Sequence, residues 1–90
     1  MRNINITLPA DSIEVLRKLA KVSKMDCWFS VDDNGVITDL EDNNAVMNTS
    51  EAIYMLMDGA SAQDFEQLDD REMRVLVLMF ASIVKQLIND

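Results

Sequence analysis

Ninety residues carry eight bases against sixteen acids, a net charge of −8, with 49% apolar residues, two glycines, one proline, one cysteine and no histidine. A chain of this length and apolar content supports one folded domain, residues 1–90, with one modest core, and not a disordered segment. The missing histidine removes the commonest general base, the single cysteine excludes an internal disulfide, and the acid excess disfavours direct contact with nucleic acid or anionic membrane.

Residues 3–8 alternate, with Ile4, Ile6 and Leu8 on one side and Asn3, Asn5 and Thr7 on the other, the period of a half-buried strand. Pro9 ends that strand and suits the first turn of a helix. The helix is predicted to run to about Ser23, with Ile13, Leu16, Leu19 and Ala20 as its apolar stripe. Arg17, Lys18, Lys21 and Lys24 fall outside the stripe, and the last two complement the negative end of the helix dipole.

Residues 27–41 read as a β-hairpin. Asn34-Gly35 between two β-prone runs is the strongest short-range hairpin signal. A two-residue turn there pairs Asp33 with Val36, Val31 with Thr38 and Phe29 with Leu40. Phe29, Val31, Val36 and Leu40 then share a buried face, while Trp28, Ser30, Asp32, Ile37, Asp39 and Glu41 share the other, which is mostly acidic. Cys27, at the start of this run, is expected to be a buried, inert thiol.

Residues 41–44 form a polar link. Asn48 and Glu51 have the spacing of a capping box, so a second helix is predicted from Thr49 to about Asp58, with Gly59 as its stop. Ser61 can cap a single turn through Phe65. Asp69, with Glu72 three residues on, caps a last helix running to about Ile88. Its stripe is Met73, Leu76, Phe80, Ile83, Val84 and Leu87, widened by Val75, Val77, Leu78 and Met79. A helix so apolar belongs at the centre of the core or against a second copy. Met55, Met57, Met73 and Met79 are expected to fill the core, or else to form a soft protein-binding or dimer surface.

Charge is unevenly placed along the chain. Residues 1–25 carry five bases and two acids, +3; residues 26–72 carry thirteen acids and Arg71, −12; residues 73–90 carry Arg74, Lys85 and Asp90, +1. Two clusters stand out: Asp32, Asp33, Asp39, Glu41 and Asp42 on and after the hairpin, and Asp64, Glu66, Asp69 and Asp70, with Glu72, leading into the last helix. Acids at turns and helix starts are ordinary local chemistry. A field of one sign over 47 residues, from 26 to 72, is also what steers a basic partner. Catalysis has little to build on: Cys27 has no histidine partner, and Gly35 and Gly59 stand alone, so no loop cradles phosphate and no cofactor is expected.

Two local resemblances carry other readings. Residues 30–41 resemble an EF-hand calcium loop, with Asp32 at position three, Asn34 at five, Gly35 at six, Thr38 at nine and Glu41 at twelve; Ser30 stands where the first carboxylate belongs. Residues 3–9 followed by an amphipathic helix resemble the opening of the ribbon–helix–helix DNA-binding family, which implies base reading by Asn3, Asn5 and Thr7. In size and charge the chain resembles small acidic DNA-mimic proteins of phages, including some anti-CRISPR proteins.

The expectation is an α+β domain in the order β-α-β-β-α-α, a small antiparallel sheet packed against helices in two layers. Its function is expected to be non-enzymatic binding of a protein with a basic surface, in the sharpest form as an inhibitor that mimics nucleic acid and blocks a basic groove. The alternatives are a calcium-binding loop module or a ribbon–helix–helix-like DNA-binding regulator. Self-association is expected through the last helix or the Met-bearing side of the second. With no apolar leader after Met1 and no apolar run longer than residues 75–81, a cytoplasmic location is expected.

Overall fold

The computed structural model describes residues 6–89. The fold is α+β. Helix α1 (Ala10–Val22) is followed by three short strands, β1 (Phe29–Val31), β2 (Ile37–Asp39) and β3 (Ala45–Val46), then α2 (Thr49–Gly59), the single-turn α3 (Ala62–Phe65) and α4 (Asp70–Ile88). The strands form one antiparallel meander in the order β1-β2-β3.

The third strand is not the one expected. Residues 6–9 form no strand, and Asn3, Ile4 and Asn5 lie outside the described residues. The main chain of Thr7 is instead held by a side chain: its N–H donates to Gln86 Oε1 at 2.8 Å, and Gln86 Nε2 donates to its carbonyl at 2.9 Å. A side-chain amide on α4 thus takes the place of a strand partner. The sheet gets its third strand from Ala45–Val46, after Asn43 and Asn44 turn the chain back with left-handed φ of 52° and 59°. Asparagine tolerates that region better than most residues, and two residues are too few to show alternation in a sequence.

α1 is the central element. It packs against α4, β1 and α3, and its Leu16 and Leu19 are fully buried. Its N-terminus has no side-chain cap: Pro9 occupies the cap position, and the buried Ser12 hydroxyl donates to the Pro9 carbonyl at 2.6 Å. Its C-terminus closes with Met25 N–H donating to Ala20 at 2.8 Å and Lys24 N–H donating to Lys21 at 3.2 Å. That is a Schellman ending, with Lys24 at φ 61° where glycine is usual. Met25, buried after it, lies against the end of α2. A Cβ on Gly59 would come within 2.6 Å of the Met25 sulfur. Gly59 is thus the last residue of α2 and permits this close approach; it does not close the helix in a left-handed conformation, since Gly35 is the only positive-φ glycine among the described residues, and the chain leaves the helix at the extended Ala60.

The predicted caps are present. Asn48 accepts from the N–H groups of Ser50 and Glu51, and Ser61 with Asp64 and Asp69 with Glu72 form reciprocal capping boxes. The inward face of α4 is Val75, Leu76, Met79 and Ile83. Of the expected stripe, Leu76 and Ile83 are buried and Leu87 packs at the core edge, while Met73, Phe80 and Val84 are exposed.

Candidate functional site

The hairpin decides how the first acidic cluster is presented. The β1–β2 register pairs Phe29 with Asp39, Ser30 with Thr38 and Val31 with Ile37, one residue away from the expected pairing. The cause is Asp32. Its Oδ1 accepts from Asn34 N–H at 2.8 Å and from Val36 N–H at 2.9 Å, while Gly35 N–H donates to its carbonyl at 3.0 Å. Asp32 N–H then donates to the Val36 carbonyl, so the loop is Asp33-Asn34-Gly35 with Gly35 left-handed at φ 81°. A two-residue turn on Asn34-Gly35 would need positive φ at both residues, and Asn34 does not have it. Asp at the first position and Gly at the fourth is the signature of the turn that forms.

One residue of slip turns every side chain of the second strand over. Ile37 is buried beside Phe29, whereas Leu40 and Val36, expected inside, are exposed. The outer face of the sheet carries Trp28, Ser30, Thr38, Leu40 and Val46, and is uncharged where a mostly acidic face was expected. Asp39 moves to the inner side, half-buried, with its Oδ1 accepting from Glu41 N–H at 2.9 Å. Asp32 and Asp39 therefore do not share a face. The segment resembling a calcium loop, residues 30–41, itself contains most of β1 and all of β2 and is not a loop between two helices, and the Asp32 carboxylate is occupied in its own turn.

Most of the nine acids proposed as a binding face have local work. Asp32 and Asp39 hold turns, and Asp64 and Asp69 cap α3 and α4. Asp33 pairs with Arg17 at 2.8 Å, and Arg17 Nε also donates to the Val31 carbonyl at 2.7 Å. Glu72, beside the second cluster, pairs with Lys18 at 2.7 Å. Two consecutive bases on α1 thus reach the two acidic clusters, one each. The mixing of sign missing from residues 26–72 is supplied in space by α1, whose Arg17 is 16 residues from Asp33 and whose Lys18 is 54 residues from Glu72. Glu41, Asp42, Glu66 and Asp70 are exposed and make no side-chain bond among the described residues.

Two surface features remain. A groove of about 280 Å³ runs between α1 and β1, with Arg17, Lys21 and Asp26 at its rim and Ala20, Phe29 and Val31 below. The larger feature is the outward face of α4. Met73, Val77, Leu78, Phe80, Val84 and Ile88 are 37, 63, 66, 39, 51 and 74% exposed, and Met73, Arg74, Val77 and Leu78 line a shallow apolar depression of about 380 Å³. The sequence showed this helix to be apolar nearly all round but not which side would stay outside. The methionines divide accordingly: Met79 and Met25 are buried, whereas Met73 and Met55 are exposed.

Cys27, expected to be buried, is exposed in the turn before β1, its Sγ 3.5 Å from the Lys24 carbonyl. The strand starts two residues later than expected, so the thiol is never drawn under the sheet. Among the described residues no group of three or more Cys, Asp or Glu side chains is placed to hold a metal ion, and no helix is long and apolar enough to cross a membrane. Comparison of the chain with protein-family models, with curated proteins and with solved structures gives no match in any of the three.

Proposed function

We propose that this chain is a non-enzymatic protein-binding module whose main contact surface is the outward face of α4. The observation that carries the reading is the exposure of six large apolar side chains, Met73, Val77, Leu78, Phe80, Val84 and Ile88, on a helix whose opposite side already fills the core. Contiguous apolar surface of this kind marks interaction sites on small soluble domains. The net charge of −8 then selects against anionic surfaces and steers the encounter with a partner.

A second reading is an acidic inhibitor that fills a basic groove of a nucleic-acid-binding protein. It is favoured by Glu41, Asp42, Glu66 and Asp70, which are exposed and take no part in capping. Capture of proteins from a cell extract separates the two. Wild type is compared with Val77→Glu and with a variant carrying Glu41→Gln, Asp42→Asn, Glu66→Gln and Asp70→Asn. On the first reading a partner is lost only with Val77→Glu. On the second it is lost with the four neutral substitutions and with added salt. A partner retained by both variants counts against both readings.

A further inference from the structure

We propose that the outward face of α4 is covered by the same face of a second copy, the two helices running antiparallel. The inference rests on the binding reading above and names the occupant. Met73, Val77, Phe80 and Val84 follow one another at spacings of four, three and four, and Leu87, half-buried at the core edge, continues the series at three. This is the spacing of a coiled-coil seam, and what fits such a stripe is another helix, knobs into holes. No charge falls on the seam from Met73 to Leu87.

The area is of the right size. Leu78 lies off the seam; the exposed parts of Met73, Val77, Phe80, Val84 and Ile88 together amount to between two and three complete large residues, and at roughly 150 Å² each this is about 400 Å² per copy. Doubled by a two-fold axis it approaches the roughly 1,000 Å² that a specific interface needs, before the stems of Arg74 and Lys85 are counted. Antiparallel packing sets Val77 of one protomer against Phe80 of its partner and Met73 against Val84, a self-complementary register in which large residues meet small ones. It also brings the first turn of α4, with Asp69 and Asp70, beside the partner's last turn, with Lys85, and opposes the two helix dipoles. Parallel packing would set like ends together. Because each copy carries −8, the pair should tighten as salt screens the repulsion, the opposite of the salt response of an acidic face on a basic groove.

Sedimentation equilibrium tests this on wild type, Val77→Glu, Phe80→Lys and the double variant, at about 0.15 M and about 1 M salt. Wild type should show dimer mass, with a tighter constant at the higher salt. Each single variant should weaken the dimer at least tenfold, and the double variant should regain much of the loss, since antiparallel packing sets each new Glu against a new Lys. Both sites are exposed, so circular dichroism should show folded monomers; if either charged variant fails to fold, Val77→Ser and Phe80→Ser provide the same comparison without the charge. A wild type that stays monomeric to several hundred micromolar overturns the proposal, as does a dimer that the single variants leave intact. A double variant no better than the singles overturns the antiparallel register. If wild type is monomeric while Val77→Glu still abolishes capture of another protein, the second copy is excluded and the binding-module reading stands.

Discussion

Lys18 on α1 and Glu72 on α4 are joined at 2.7 Å through the same carboxylate oxygen that accepts the Asp69 N–H at 2.9 Å. One oxygen thereby closes the capping box that starts α4 and ties that helix to α1. The Glu72 carboxyl is held below its ordinary value of 4.5, chiefly by the Asp69 N–H and then by the hydrogen bond from Lys18. Partial burial pulls the other way, and the charges of Lys18 and Arg71 add to the lowering. The folded value lies below the unfolded one, so as pH falls the unfolded chain takes up this proton first. The stabilisation is complete above pH 4.5 and is lost as pH falls through the folded value. Glu72→Gln keeps the capping geometry but cannot titrate. Urea midpoints of wild type and variant should differ most near neutral pH and converge in acid; curves that stay parallel from about pH 5 to about pH 2 would show that Glu72 is not the group responsible.

The hairpin turn depends on one carboxylate and one glycine. Asp32→Ala removes the acceptor for two N–H groups and should cost about 1–2 kcal/mol, while Asp32→Asn, which keeps the acceptor, should cost much less. Gly35→Ala should cost about 1–2 kcal/mol for conformation alone. The new Cβ has room, with Ile13 Cδ1 and Leu8 Cδ1 each 3.5 Å away, but φ is 81°. Thermal unfolding measures all three. A neutral Gly35→Ala would mean that the turn relaxes to another conformation.

At the end of α1 a lysine occupies a left-handed position. Lys24→Gly should raise stability by about 1 kcal/mol, because glycine adopts φ 61° without the steric penalty and Lys24 makes no ion pair among the described residues. The measurement is the urea midpoint at constant slope. A lower midpoint would mean that the lysine stem contributes packing that outweighs the backbone strain.

The two sides of α4 should respond differently to truncation. Leu76→Ala and Ile83→Ala empty inward sites and should cost about 2–5 kcal/mol, as should Leu16→Ala on α1. Val77→Ala and Val84→Ala, measured at the lowest workable concentration, should change stability by no more than about 0.5 kcal/mol. A large loss at Val84 would mean that the outward face is covered within the same chain.

Much of the local structure was legible in the sequence. The starts of α2, α3 and α4 follow from Asn48, Ser61 and Asp69, because a cap is made between a side chain and N–H groups two or three residues away. The extent of α1 follows from the spacing of Ile13, Leu16 and Leu19. The turn that sets the hairpin was also written locally, in Asp32 and Gly35, but Asn34-Gly35 offers a competing turn, and a slip of one residue exchanges the faces of β2. Three matters lay beyond local reading. Thr7 finds its partner in Gln86, seventy-nine residues away. The acids of residues 26–72 are interleaved with bases only when α1 folds between the hairpin and α4, bringing Arg17 to Asp33 and Lys18 to Glu72. α4 carries two apolar stripes of similar strength, and only packing on α1 selects Val75, Leu76, Met79 and Ile83 for the core and leaves Val77, Phe80 and Val84 outside. Periodicity tells which residues of one helix lie together; which face turns inward depends on the shape of the surface it meets, and that surface exists only once the chain has folded.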